Sequence, residues 1–176
     1  GWIMYRIGQL IEEISLELIQ YRNLLTVECD ESTEFQMLEA LLISNQSLSN
    51  YRAVYRTYFD IAPAIDLLFL NKENPISILT QFEQLVKYME QLPQRKKETH
   101  HGELGNLAFD CYSKVRLIQV NSLLKVDKDT GVRKELDALC KNLSEQVGSI
   151  SAKLSALYFS HSVYQSQGKD SFQFEV

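Results

Sequence analysis

Apolar residues in this chain recur at spacings of three and four. Ile3, Ile7, Leu10, Ile14, Leu18, Tyr21 and Leu25 form one stripe, which predicts an amphipathic helix from the start of the sequence. Val27–Ser32 breaks the stripe, and Ser32 or Thr33 is placed to cap a second helix carrying Phe35, Leu38, Leu41 and Leu42. Polar Ser44–Asn50 predicts a bend or interruption. Tyr51, Val54, Tyr55, Tyr58 and Phe59 then give an aromatic helical face. Pro63 is placed to open a short apolar helix over Ala64–Leu70. Asn71–Pro75 reads as a loop, because proline disfavours α geometry in the residue before it.

Leu79, Phe82, Val86 and Met89 form the next stripe, with Pro75 in its first turn and Pro93 at its end. Gln94–Gly102 is charged and lacks apolar anchors, which predicts a mobile connection. Leu104, Ala108, Cys111, Val115 and Ile118 mark another helix, and Asp127–Gly131 a turn. The longest stripe closes the pattern: Val132, Leu136, Leu139, Leu143, Val147, Ile150, Leu154, Leu157 and His161. Phe172 and Phe174 alternate in a tail too short to assign as a strand. The pattern predicts an all-α bundle of about six helices with mostly short loops. It forms one domain over residues 1–176, of which 165–176 are tail.

Composition supports this. The chain has 3 Pro and 7 Gly in 176 residues, few for a turn-rich β fold. Hydrophobic residues are 45% and charged residues 23%, which excludes wholesale disorder. A net charge of −5 argues against nucleic acid and anionic membranes as partners, since both need a basic face. No signal peptide or apolar span is visible. Cys29, Cys111 and Cys140 are odd in number and lack CxxC spacing, so a reducing cytoplasm is the expected compartment.

The common catalytic motifs are missing: GxxxxGK[ST], GxGxxG, HExxH and GxSxG do not occur. Glu98 and His101 have a spacing that helical metal sites use, but no second carboxylate–histidine pair faces them. Asp127-Lys128-Asp129 begins like a calcium loop, yet the glycine comes early and no glutamate closes it. No metal and no cofactor is expected. Cys111 lies on an apolar stripe and reads as a core thiol. Cys29, followed by Asp30 and Glu31, is expected to have a raised pKa.

Three features stand out from this background. Arg52 and Arg56 are four apart beside Tyr51 and Tyr55, so on one helix they share a face, and two guanidiniums there suit a carboxylate or phosphate. Salt bridges to other helices are the plainer role, with Glu12 and Asp66 the expected acids. His161 continues an apolar seam and needs a hydrogen-bond partner. Gly8 lies four before Glu12; it predicts close approach by another element, while Glu12 falls opposite the buried stripe.

Residues 51–93 read YRAVYRTYFDIAPAIDLLFLNKENPISILTQFEQLVKYMEQLP, between GWIMYRIGQLIEE at the start and ALYFSH at 156–161. In this order these pieces resemble the bacterial alpha-E domain family. The resemblance rests on the YRxxYR element, the acidic-Asn-Pro turn followed by Ser77, Gln81, and the YFSH ending. It implies an all-helical domain named for a Glu–Arg signature, associated with ATP-grasp ligase-like and transglutaminase-like proteins and with peptide synthesis or modification. It further implies that this chain is the C-terminal part of such a domain. Gly8 and Glu12 match the family's first helix, while Gln9, Glu13 and Ile76 stand where arginines are expected.

Two functional readings follow from the resemblance. In the first, the chain is a non-catalytic accessory or scaffold domain with ATP-grasp-like or transglutaminase-like protein partners. In the second, it is an enzyme or ligand-binding domain whose polar pocket gathers Glu12, Tyr51, Arg52, Tyr55, Arg56, Asp66, Asn74, Ser77, Gln81 and His161. There the arginines would orient an anion, and Glu12 or His161 would move a proton. Trp2, Leu16, Ile19 and Leu24 make the first helix apolar on more than one side, which predicts self-association into a homo-oligomer.

Overall fold

A computed structural model of the chain describes residues 1–56, 59–92 and 100–158. Four long helices close into a ring: α1 (Trp2–Leu25), α5 (Ile78–Glu90), α6 (His100–Arg116) and α8 (Lys134–Tyr158). α1 packs on α5, α5 on α6, α6 on α8 and α8 back on α1. Side-chain contacts set the directions. Trp2 stacks edge-on against Tyr88, with ring centroids 5.7 Å apart, while Gln81 reaches Glu17, so α1 and α5 run antiparallel. Cys111 meets Gln146 and Glu103 meets Lys153, so α6 and α8 do the same. Up-down-up-down packing of this kind buries one stripe per helix. The predicted stripes are those buried: Ile7, Leu10, Ile14, Leu18, Tyr21 and Leu25 on α1, and Leu136, Leu143, Val147, Ile150 and Leu154 on α8.

One end of the bundle carries the shorter elements. α2 (Glu31–Ser44), α3 (Leu48–Tyr55) and α4 (Ile61–Ile65) precede a π-helical turn, Asp66–Leu70, and α7 (Val120–Leu123) packs on α4 and α8. The all-α class is as expected, but several boundaries differ. Asp30, not Ser32 or Thr33, caps α2, its carboxylate accepting from the Thr33 amide at 3.0 Å. α3 stops at Tyr55 and Arg56 turns left-handed (φ 48), so the aromatic face does not continue to Phe59 as one helix. The Asp60 amide donates to the Tyr51 hydroxyl at 3.1 Å and Phe59 stacks on Tyr51, contacts that draw the chain back on itself. Tyr58 and Pro93 lie outside the described residues.

Further along, α4 begins at Ile61 with Pro63 already inside its first turn. Pro75 stays in the loop, because Ser77 caps α5 by accepting from the Thr80 amide at 3.2 Å. α6 begins at His100, within the segment expected to be a mobile connection. α7 has no counterpart in the apolar pattern: four residues are too few for a stripe. Nothing approaches within 4 Å of a Cβ built on Gly8, so the predicted close approach is absent there.

α8 starts two residues after Val132, which instead pairs with Val27 in an isolated antiparallel bridge. Arg133 anchors this junction. It is 4% exposed, and its guanidinium donates to the Leu25 and Val27 carbonyls (3.1 and 3.3 Å) and to Glu34 (2.6 Å). One side chain thus caps α1, holds the bridge and ties in α2. Gly131, at φ 67, makes the turn that returns the chain to Thr26. Asp127 binds Thr130 and Lys134, and these contacts hold its carboxyl down to about 2.

Cys111 and Cys140 face the core, as read from the stripe for Cys111, and burial pushes each thiol up to about 12. Cys29 is half-buried, its thiol directed at the Val27 carbonyl. Iodoacetamide on the native protein at pH about 8 is expected to modify Cys29 and spare the other two, since the thiolate is the nucleophile. Peptide mass spectrometry reads the outcome, and equal labelling of all three would contradict the placement of the core thiols.

Candidate functional site

The candidate polar residues divide into groups. At the α3–α4 corner, buried Tyr51 stacks between Tyr55 (5.2 Å) and Phe59 (5.3 Å), and Phe35 stacks on Phe59 at 5.1 Å. The Tyr55 hydroxyl donates to the Asp66 carboxylate in a short hydrogen bond. Burial first, and then that carboxylate, push the Tyr55 phenol far above its usual range. Asp66 opens the π turn, which closes with the Asn71 amide on its carbonyl at 3.0 Å. Single π turns are frequent at functional positions.

Next to it, the loop before α5 is held by buried amides. Asn74, 1% exposed, donates to the Leu67 carbonyl (3.1 Å) and the Ser47 hydroxyl (3.4 Å). Gln81, 3% exposed, uses both hydrogens of its amide: one bonds the Glu17 carboxylate at 2.6 Å, the other the Ile76 carbonyl at 2.7 Å. Among the described residues, Asn74 Oδ1, Gln81 Oε1 and the Tyr21 hydroxyl are buried with no partner, as is Arg133 Nε at the α1–α8 junction. Burial raises the Glu17 carboxyl to about 7, against the Gln81 hydrogen bond and with a smaller push from Glu13.

Tyr51, Tyr55, Asp66, Asn74, Ser77 and Gln81 are therefore placed in one region, and Glu17 and Ser47 join them from α1 and the α2–α3 turn. Nothing in the motifs of the sequence singles out Glu17. A signal for it exists: buried Leu10 stands seven residues before it and buried Tyr21 four after, so it shares their register on α1.

Other candidates stand apart. Glu12 is exposed on the far side of α1, as its register predicts. Arg52 and Arg56 are both exposed, and neither pairs with an acid among the described residues; Asp66 is taken by Tyr55 and Glu12 faces elsewhere. The expected pairing fails because α3 ends between them, and the left-handed turn at Arg56 removes the shared face. His161 lies outside the described residues. Gln9 and Glu13 join Arg6 in a line along α1: Arg6 donates to Gln9 (2.6 Å) and Gln9 to Glu13 (2.9 Å).

Two cavities border this region. One of about 170 Å³ is lined by Asn50, Val54, Leu67, Asn71, Glu73 and Asn74, and one of about 340 Å³ by Glu31, Glu34, Phe35, Phe59 and Asp60. Neither takes in Glu12, Arg52 or Arg56. Among the described residues no group of three or more His, Cys, Asp or Glu is placed to hold a metal ion, and no helix is long and apolar enough to cross a membrane.

No curated protein matches the chain. No solved structure matches it either. One family model does, over residues 1–159: alpha-E, a predicted alpha-helical domain with a conserved ER motif. The consecutive Glu-Arg of that description does not occur in these 176 residues, where Glu12 is followed by Glu13. With a helical fold among the described residues of the matched span, and with nine-tenths of the sequence inside the match, the chain belongs to the alpha-E family.

Proposed function

We propose that the chain is a non-catalytic helical accessory or scaffold domain. It acts in the bacterial cytoplasm beside ATP-grasp-like or transglutaminase-like proteins that make or modify a peptide. One observation supports this above others: the buried polar residues are engaged in holding the fold, while Arg52 and Arg56 face solvent without an acid partner among the described residues. Ser77 caps α5, Asn74 ties its loop to Ser47, and Gln81 links that loop to α1. An anion-orienting pocket needs its guanidiniums converging on one cleft. Exposed arginines on a rigid frame suit a protein surface, where arginine is enriched.

Affinity purification of the tagged chain from its bacterial host tests this. An ATP-grasp-like or transglutaminase-like protein is expected to co-elute, and the paired substitution Arg52→Ala, Arg56→Ala is expected to reduce its recovery by about tenfold. If neither class of protein co-elutes, the reading is wrong.

Self-association belongs to the same reading. Trp2 (64% exposed) and Tyr5 (68%) near the start of α1 and Leu16 (56%) and Ile19 (53%) near its end lie on its outer face in two pairs with polar Gln9 and Glu12 between them, while Leu24 packs partly on the core; exposed apolar groups of this size favour association. The wild-type chain is expected to sediment above its 20.3 kDa monomer mass at high micromolar concentration. The paired change Leu16→Lys, Ile19→Lys is expected to return it to the monomer. A wild-type monomer throughout that range contradicts the expectation.

A further inference from the structure

Glu17 is a half-buried carboxylic acid at the contact of two helices, and the partner it meets is a primary amide. Gln81 already spends both its hydrogens, one on Glu17 and one on the Ile76 carbonyl, so the loop before α5 is bound to α1 through a single side chain. The same amide's oxygen is buried and accepts from nothing among the described residues. A buried acceptor without a donor costs about 1–3 kcal/mol in a native structure, so a missing donor is the first thing to look for. The group beside Gln81 that can supply one is Glu17 itself, in its protonated form. A carboxylic acid and a primary amide pair at two points: amide N–H to acid C=O, and acid O–H to amide C=O.

We infer that Glu17 and Gln81 form a proton-held latch between α1 and the start of α5. Glu17 carries a proton that it donates to Gln81 Oε1, and losing that proton to solvent leaves one hydrogen bond where there were two and loosens this seam.

The surroundings favour the protonated form. On α1 the charge acting on Glu17 is the Glu13 carboxylate, one turn away, and Tyr21 on the next turn is neutral, its hydroxyl without a partner among the described residues. α5 presents the neutral Gln81. α8 presents Cys140 near Tyr21, its thiol held neutral by burial, and then Asp137, which is bound to Arg22 at 2.7 Å. α2 reaches α1 through the amide of Asn45 on Gln20. Among the described residues no cation faces Glu17 from these elements to hold it ionised, in accord with a carboxyl that titrates near neutrality.

The test is carboxyl-carbon NMR and amide hydrogen exchange on the whole chain, with the Glu17→Gln variant as control. Gln at position 17 keeps a two-point amide pair at every pH. In the wild type, the Glu17 signal, assigned by its absence from the variant, is expected to titrate near pH about 7 rather than in the ordinary range near 4. Protection of the Gln81 and Phe82 amides, corrected for intrinsic rate, is expected to fall about tenfold from pH about 6 to about 8. In Glu17→Gln it should stay level across that interval. Titration of Glu17 in the ordinary range overturns the latch, whether or not the variant folds. A wild-type exchange profile as level as the variant's does so too.

Discussion

Replacing Arg133 by methionine is expected to lower stability by about 3 kcal/mol, a large share of what a domain of this size possesses. Methionine fills a similar volume, so the loss comes from polar groups rather than a cavity. The Leu25 and Val27 carbonyls lose their donor, and Glu34 loses its cation. Removing one partner from a buried set costs more than the set contributes as a whole, because the remaining groups stay desolvated. Glu34 is partly open to solvent, with 27% of its side chain exposed, so it rehydrates. Glu34→Gln, which keeps an acceptor, is therefore expected to cost only about 1 kcal/mol. Urea unfolding of the two single variants and the double variant separates the terms. Equal losses for the two single changes would show that the ion pair, not the carbonyl capping, dominates.

The second large effect concerns pH. In the folded chain the Glu17 carboxyl rises from 4.5 to about 7. The native state then binds this proton more tightly than the unfolded state, so stability is greatest at acid pH. It falls as pH climbs through the interval between those values and is level above it. A tenfold difference in proton affinity corresponds to about 1.4 kcal/mol, and partial solvent access reduces the total, so about 2 kcal/mol is expected to be lost across the interval. Glu17→Gln removes the group that titrates. The variant is expected to match the wild type near pH about 4 and exceed it by about 2 kcal/mol near pH about 8. Chemical denaturation at fixed pH values measures both. Parallel stability curves for the two proteins would exclude Glu17 as the source of the slope.

Much of the fold was legible in the apolar pattern, for a physical reason. A ring of four helices buries one stripe from each, so stripes such as Ile7 to Leu25 map onto buried faces with little interference. The short elements were less legible. α3 ends where Tyr51 and Phe59 draw the chain back, and the start of α8 waits for the Val27–Val132 bridge. Both are tertiary events that no local spacing encodes. At the site, the amides around the Asn-Pro turn came forward through a resemblance, and the structure supplies a role for each. Arg133 could not be found by either route: its position two residues after a turn glycine looks like ordinary surface. Its burial follows from carbonyls more than a hundred residues earlier. Glu17 reads as one of many helix-surface acids until α5 is laid against it.

The junction at Arg133 also bears on how the chain is made. α1 spends its stripe on α8 as well as on α5, and the two meet through residues 25–27 and 132–133, more than a hundred residues apart along the chain. A ribosome adds about 5–20 residues per second, so on the order of 10 s separates the emergence of α1 from that of its last partner. For that interval Leu18, Tyr21 and Leu25 lack the α8 surface that later covers them. Exposed apolar chain of this kind is open to chaperone holdases, and slow codons between α1 and α8 would lengthen its exposure. Synthesis rate, and not only sequence, thus enters the yield of folded protein, whereas a bundle whose neighbours in space were all neighbours in sequence would be indifferent to it.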